Sequence, residues 1–246
     1  WTWAAIHPKY PAEWLLENYL VFFFVPLILL TGRYFRLSLI SYTLITIFMC
    51  LHVVGSHYTY AEVPIGDVLQ DLFDAQRNMY DRVVHFGFGF LLAYPIREVF
   101  IRLAKVKGFW GYYLPLDVTL SFSGLYEIIE WLTAVIVSLE AGSAFLGTQG
   151  DEWDAQKDML AAATGATIAM LVIVLINARL DKNFWRDWRG SFHLRKDDKP
   201  LGEVALRRML EETFKAAEEV EARTGLPVLG ILPRVGGLSK KTSLPL

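Results

Sequence analysis

LYEIIEW at residues 125–131 and GTQGDEWDAQKD at residues 147–158 set the architecture of the chain, because each places carboxylates against a long apolar run. The first puts Glu127 and Glu130 inside a hydrophobic segment, and the second puts Asp151, Asp154 and Asp158 at the start of the next. An ionised side chain near the middle of a bilayer costs roughly 2.5–3.5 kcal/mol, so two glutamates require about 5–7 kcal/mol from partners, water or protonation. Acids in such positions indicate a functional site.

The apolar residues are concentrated in segments long enough to cross a membrane. Of the 246 residues, 54% are hydrophobic, which exceeds the usual share in a soluble domain. A hydrocarbon core of ~30 Å needs about 20 helical residues. We therefore predict an all-α, polytopic transmembrane bundle of about five spans, near residues 19–31 with their apolar flanks, 37–55, 83–100, 114–139 and 159–180.

The rest of the chain has a different composition, and we predict two domains. Residues 1–180 form the transmembrane domain, and residues 181–246 form a tail with an amphipathic helix at 204–223. The single cysteine, Cys50, lies inside the second span. A disulfide framework and a thiolate metal cluster are therefore both excluded.

Basic and acidic loops alternate along the chain. The loops at 56–80 and 140–158 are acidic, whereas Lys and Arg follow the first, third and fifth spans, as Arg33, Arg36, Arg97, Arg102, Lys105, Lys107, Arg179, Lys182, Arg186 and Arg189. Short loops rich in Lys and Arg stay in the cytoplasm. This pattern predicts a membrane topology with the N-terminus outside, the tail in the cytoplasm and both acidic loops on the outer face.

A row of polar residues precedes the third span. Asp74, Asn78, Asp81 and His85 are spaced by four, three and four, which places them on one face of a continuous helix. An aspartate four residues before a histidine can share a metal with it or fix its tautomer. His57, beyond the end of the second span, is a further candidate ligand. The alternative is a solvated helix end with a hydrogen-bonded histidine.

Two more acidic groups complete the candidate site. Glu127 and Glu130 lie about 60° apart on a helix, so both can face the interior of the bundle. Asp151, Asp154 and Asp158 are spaced by three and four, again on one face. Aspartates at this position are also typical of an ordinary helix start, where they favour the positive end of the dipole.

Four strings carry a resemblance to a known family: SHYTYAEVPIG, RNMYDRVVHFGFGFLLAYPIRE, LPLDVTLSFSGLYEIIEW and AGSAFLGTQGDEWDAQKDM. Through them the chain resembles the YjdF family of bacterial inner-membrane proteins over nearly all of residues 14–180. The resemblance implies a polytopic inner-membrane protein and carries no activity with it.

A weaker similarity connects the chain to VanZ-like membrane proteins, which are associated with glycopeptide-antibiotic resistance. It rests on an intramembrane glutamate, two later aspartates and a glycine, here Glu127 or Glu130, Asp154, Asp158 and Gly165. The chain lacks the basic residue and the asparagine usual near those aspartates, and has Ala162 where the asparagine would stand.

The first functional hypothesis is a metal-dependent hydrolase or transferase acting on an amphiphilic substrate near the outer leaflet. Glu127, Glu130 and Asp154 are its candidate catalytic residues, and its candidate ligands are His57, Asp81, His85 and Asp158. Imidazole with carboxylates suits Zn²⁺, Mn²⁺ or iron, and such a metal can activate water. No HExxH motif is present, so the constellation has low sequence specificity.

Two other classes of function use the same residues. In a binding or transport protein they form a path for protons, ions or a small solute. In a structural or interaction protein the buried acids pair with Arg77 and Arg82. The expected partners are membrane lipid and an amphiphilic small molecule, and no nucleic acid.

Overall fold

A computed structural model of the chain describes residues 1–136 and 149–193, with 202, 203, 206, 208, 209, 222 and 225 of the tail. Over 1–193 the described residues form helices joined by turns: α1 (Thr2–Ala5), α2 (Pro11–Thr31), α3 (Leu39–Tyr58), a 3₁₀ turn (Tyr60–Glu62), α4 (Pro64–Phe73), α5 (Tyr80–Arg102), α6 (Trp110–Ile136), α7 (Asp154–Leu180) and α8 (Phe184–Gly190).

Four of the described helices, α2, α3, α5 and α7, are long and apolar enough to cross a membrane. Helix α6 has 27 residues, about 40 Å of helix, but Asp117, Glu127 and Glu130 lower its hydropathy. The prediction of an all-α bundle with about five spans is therefore confirmed. Helix α7 begins five residues before the predicted span, at Asp154, so Asp154 lies in its first turn and Asp158 follows just after it.

Helices α5 and α7 run parallel and touch backbone to backbone. A Cβ on Gly165 would lie 2.8 Å from the backbone nitrogen of Phe90 and would overlap the carbonyl oxygen of Phe86. A Cβ on Gly89 would likewise overlap the carbonyl oxygen of Ala162. Small residues allow membrane helices to pack this closely. The crossing brings the acids at the start of α7 beside the start of α5, and we call this end of the bundle the acidic end.

The opposite end, where α5 ends, is held by Glu98. Its carboxylate accepts hydrogen bonds from the hydroxyl of Ser38 at 2.8 Å, from the hydroxyl of Ser41 at 2.5 Å and from Arg102 at 2.5 Å. Ser38 is the N-cap of α3, so this contact fixes the start of α3 to the end of α5.

The first compact unit of the chain runs to His193 and includes α8, and the second runs from Leu194 to Leu246. Helix α8 belongs to the first because Trp188 packs against Phe109 and Tyr112 at the start of α6. In the tail, residues 206, 208, 209 and 222 of the predicted amphipathic helix are helical. The remainder of that predicted helix lies outside the described residues.

The predicted helical row of Asp74, Asn78, Asp81 and His85 is wrong. Helix α4 ends at its tenth residue, and Asp74 follows it in the left-handed conformation, with a φ of 49°. Helix α5 begins only at Tyr80. Asp81 and His85 therefore share a helical face, whereas Asp74 and Asn78 lie in the connection before it.

Asn78 is instead the residue that joins α4 to α5. Its buried amide donates to the carbonyl oxygen of Val63 at 3.0 Å and to the carboxylate of Asp67 at 2.6 Å. Its side-chain oxygen accepts from the backbone N–H of Tyr80 at 3.0 Å. Gly66 leaves the space that this side chain fills, because a Cβ there would overlap it.

Candidate functional site

An ion-pair network joins the start of α7 to the start of α5. Arg77 and Arg82 both contact Oδ1 of Asp154, the latter at 2.5 Å. Arg82 also contacts Asp158, and it lies 3.2 Å from Asp151. The pairing of buried acids with these two arginines, one of the hypotheses from the sequence, is thus present. Asp154, a candidate catalytic residue, is therefore paired with both arginines.

Asp81, His85 and Asp158 converge beneath this network. Each offers one ligand atom, and the three atoms lie within 4.8 Å of one another. The i, i+4 spacing on α5 places Asp81 Oδ1 3.5 Å from His85 Nε2, while Asp81 Oδ2 lies 3.3 Å from Arg77. Ligands at about 2.1 Å around one ion lie about 3–3.5 Å apart, so small side-chain movements would suffice to hold a cation.

The two carboxylate oxygens of Asp158, like those of Asp81, have different surroundings. Oδ2 contacts Arg82, and Oδ1 is buried without a hydrogen-bond partner among the described residues. The side chain as a whole is 2% exposed. A buried carboxylate oxygen without a donor is costly, and a bound ion or water would relieve that cost.

Glu127 approaches the same histidine from α6. Its Oε1 lies 3.6 Å from His85 Nε2 and has no hydrogen-bond partner among the described residues. Glu130 is in hydrogen-bond contact with Glu127 and with the hydroxyl of Tyr126. That hydroxyl also donates to Glu17 of α2 at 3.2 Å. Both glutamates predicted for this site therefore face the bundle interior, with Glu127 the nearer to the histidine.

Glu17 and Asn18 were missed by the sequence reasoning, which began the first span at residue 19 and found no chemistry there. Glu17 is only 6% exposed, and Asn18 is buried with its side-chain oxygen accepting from the indole of Trp1 at 3.0 Å. The available signal was Pro11 at the first helical position, with Glu13 in the first turn. A helix starting there carries Glu17 into the span.

His52 and Tyr60 form a second polar contact at the acidic end. Tyr60 folds back beside Gly55, and its hydroxyl lies 2.6 Å from Nδ1 of His52. Burial of the phenol, together with the charges of Glu17 and Asp81, raises the pKa of Tyr60 well above its usual value. The phenol therefore stays protonated, and its hydrogen bond with His52 fixes the 3₁₀ turn to α3.

His57, a predicted metal ligand, is not brought to this group. Its Nδ1 donates to the carbonyl oxygen of Ala4 at 3.1 Å, and its ring packs on Trp3 with centroids 4.4 Å apart. Nearby, Lys9 and Glu62 form an ion pair, and the hydrogen bond from Lys9 lowers the pKa of Glu62. His57 therefore attaches the N-terminal segment to the end of α3.

A cleft of about 430 Å³ opens beside the site. Its described lining residues are Glu127, Trp131, Gly150, Asp151, Glu152, Asp154, Ala155 and Gln156. The hydrogen bond from Lys157 lowers the pKa of Asp151, so this rim carboxylate is charged at neutral pH. Trp131 and the neighbouring Ile128 are exposed on the outside of α6. Residues 140–148 of the acidic loop lie outside the described residues.

Comparisons with known proteins agree with this architecture. Residues 1–179 match the family described as predicted membrane protein (DUF2238). The chain is 36% identical over 185 residues to the inner membrane protein YjdF of Escherichia coli (strain K12), which covers 75% of this chain and 87% of that protein. No solved structure matches the chain.

Proposed function

The chain belongs to the DUF2238 family of predicted membrane proteins, and we propose that it binds a divalent cation and uses it in hydrolysis or group transfer on an amphiphilic substrate. It is a multi-pass inner-membrane protein. The observation that supports the proposed activity is the convergence of Asp81, His85 and Asp158 within 4.8 Å. We further propose that this end of the bundle faces outward, because the loops at the other end are basic.

Each residue has a separate task in this proposal. Asp81, His85 and Asp158 hold the cation, and three protein ligands leave a position for water or substrate. Imidazole with two carboxylates suits Zn²⁺, Mn²⁺ or iron. A bound cation of this kind lowers the pKa of a water ligand toward neutrality. Glu127, whose Oε1 lies beside His85 and has no hydrogen-bond partner among the described residues, would be placed to accept a proton from that water.

The two arginines support the ligands. Arg77 contacts Oδ2 of Asp81, and Arg82 contacts Oδ2 of Asp158, so the Oδ1 atom of each aspartate remains for a cation. Hydrogen-bond partners behind the ligands commonly set their orientation in metal sites. The arginines are therefore compatible with a cation on the other side of each carboxylate.

The cleft indicates the kind of substrate. Four carboxylates line it, those of Glu127, Asp151, Glu152 and Asp154, and so does Trp131, which is exposed on the outside of α6. A molecule with a polar head and an apolar tail would place its head in the cleft and keep its tail along α6. A lipid or lipid-linked compound of the outer leaflet has this form.

A structural role is the second candidate, and one observation favours it. Arg82 contacts three aspartates, Asp151, Asp154 and Asp158, so the start of α5 is joined to the start of α7 without a metal. Transport, the remaining hypothesis, has less support. A path across the membrane would have to pass an apolar packed cluster that lies farther along α5 and α7. Among the described residues, this cluster consists of Ala93, Ala166, Ala169 and Met170, with Leu116 and Ile173 packed against it.

Elemental analysis of the detergent-purified protein tests the proposal. After incubation with Zn²⁺, Mn²⁺ or Fe²⁺ and removal of excess metal, wild type should retain one of them stoichiometrically. His85→Ala and Asp158→Asn should lose it. His57→Ala is the matched control, because it removes an imidazole at the same end of the bundle but outside the convergent group, and it should retain the metal.

The outcome separates the two candidates when folding is checked by a monodisperse elution profile. A folded wild type that retains none of the three metals would eliminate the cation site and leave the structural role. Retention by wild type and His57→Ala alone would direct the search for activity to outer-leaflet lipids, assayed with and without a chelator.

A further inference from the structure

The surface of helix α4 has three sectors that differ in polarity and in their contacts with the protein. At 100° per residue, Ile65, Val68 and Leu72 fall within about 60° of one another, and they are 53%, 59% and 71% exposed. Asp67 and Asp71 form a second, exposed sector, centred about 110° from the first. One side of this ten-residue helix is therefore apolar and uncovered in the part of the chain that the structure describes, and another is acidic.

The third sector of α4 faces the protein. Gly66 is buried, and its carbonyl oxygen accepts a hydrogen bond from the backbone N–H of Met79 at 3.3 Å. The amide of Asn78 bonds to the carbonyl oxygen of Val63. These contacts fix the first turn of α4 to the start of α5. The free part of the helix projects from this attachment over about 10 Å.

The flanking helices fix the height of α4 relative to the membrane. Helix α3 ends at Tyr58 and α5 begins at Tyr80, and both are long and apolar enough to cross the bilayer. Helix α4 lies between these two ends, so it is held at the boundary between hydrocarbon and water. Helix α4 is attached to the protein on one side, is apolar on the second and is acidic on the third. This arrangement is typical of a helix that lies in the boundary between hydrocarbon and water.

We propose that α4 is an interfacial helix that docks its Ile65–Val68–Leu72 face onto the lipid leaflet at the acidic end of the bundle. The acidic sector then points to water, where Asp71 remains hydrated and the exposed Asp67 also accepts its hydrogen bond from Asn78. Zwitterionic lipid is the partner that suits this helix, because anionic headgroups would be repelled by both aspartates. The proposal is independent of the cation site, since it uses none of its residues.

Site-specific quenching in vesicles tests this placement. The native Cys50, which is exposed, is first replaced in Cys50→Ser. A bimane fluorophore is then attached through Val68→Cys or, separately, Leu72→Cys, and the protein is reconstituted into phosphatidylcholine vesicles. Interfacial helices sit about 5–10 Å into the headgroup and acyl boundary. Lipids with a nitroxide on the upper acyl chain should therefore quench both labels, and aqueous iodide should not.

Asp71→Cys carries the matched control label, because it lies on the same helix in the water-facing sector. Iodide should quench this label and the nitroxide lipid should have a much smaller effect. Equal iodide quenching at positions 68 and 71 would overturn the proposal by showing that the apolar face meets water. Protection of positions 68 and 72 from both quenchers would also overturn it, because a second copy or another protein would then cover that face.

Discussion

Replacing Gly165 by alanine tests the helix crossing on which the site depends. The added Cβ would lie 2.8 Å from the backbone nitrogen of Phe90 and overlap the carbonyl oxygen of Phe86. Atoms normally pack at about 3.5–4.0 Å, and a backbone carbonyl cannot rotate away as a side chain can. Helices α5 and α7 would therefore have to separate by about 1 Å.

The size of the effect follows from two opposing contributions. Overpacking of this kind costs about 1–3 kcal/mol, and the better helix propensity of alanine returns up to about 1 kcal/mol. A net loss of about 1–2 kcal/mol corresponds to a fall of roughly 2–8 °C in Tm for a chain of this size. Because Phe86 follows His85 directly, the separation should also weaken cation retention.

Thermal unfolding in a fixed detergent, followed by circular dichroism, measures the loss. Gly111→Ala is the matched control, because a Cβ there meets only the side chain of Ile101 at 3.8 Å, an ordinary contact. It should melt at or above the wild-type temperature. The reasoning is refuted if Gly165→Ala is as stable as Gly111→Ala.

Three further outcomes are expected. Arg82→Leu should lower stability by about 3–5 kcal/mol, because it leaves the buried Asp158 without its basic partner, and Arg82→Lys should restore part of the loss; equal stability of the three proteins in thermal unfolding would contradict this. The hydrogen bond from Lys157 lowers the pKa of Asp151, so their pair contributes stability above the ordinary Asp pKa of about 4 and loses that contribution as the pH falls through the lowered pKa; the Tm difference between wild type and Lys157→Gln should shrink as the pH is lowered below about 4, and a difference that grows on acidification would contradict this prediction. Glu98→Gln should cost about 1.5–3 kcal/mol by removing the charged acceptor of the Ser41 hydroxyl, and an unchanged Tm would show that this contact is dispensable.

The spans and the close helix contact were predictable because the bilayer restricts the possible structures. Backbone polar groups in hydrocarbon must be satisfied within the segment, so long apolar runs become helices. Gly89 and Gly165, in the strings HFGFGF and AAATGATIA, are the small residues that such close contacts between membrane helices require. The spans and the close contact can both be inferred from residues close together in the sequence, because the hydrocarbon of the bilayer is a uniform environment.

The break before α5 was not predictable from local spacing. Asp74, Asn78, Asp81 and His85 fit one helical face, and no proline or glycine lies between them. The helix is interrupted because Asn78 finds better partners on α4, Val63 and Asp67, which lie 15 and 11 residues earlier. Helical periodicity contains no information about such distant partners.

The position of His57 depended on distant contacts in the same way. Its place beyond the end of α3 fits a ligand as well as it fits a packing residue. The position of His57 is determined by Ala4 and Trp3, which contact its ring although they lie more than fifty residues earlier in the sequence. Glu17 was missed for a related reason, since its role appears only when Tyr126 of α6 is placed beside it.

Charge balance at the acidic end connects the structural and metal-binding hypotheses. The contact network around His85 and Asp154 joins seven carboxyl groups to three basic side chains: Glu17, Asp81, Glu127, Glu130, Asp151, Asp154 and Asp158, with Arg77, Arg82 and Lys157. The arginines occupy one oxygen each of Asp81 and Asp158 and leave the other oxygen of each for His85 or a cation. Without another cation, the excess carboxyl groups must hold protons to avoid uncompensated charge in the membrane. A divalent cation would offset two of these four excess charges where Asp81, His85 and Asp158 converge, and the arginines that join α5 to α7 would also orient its ligands.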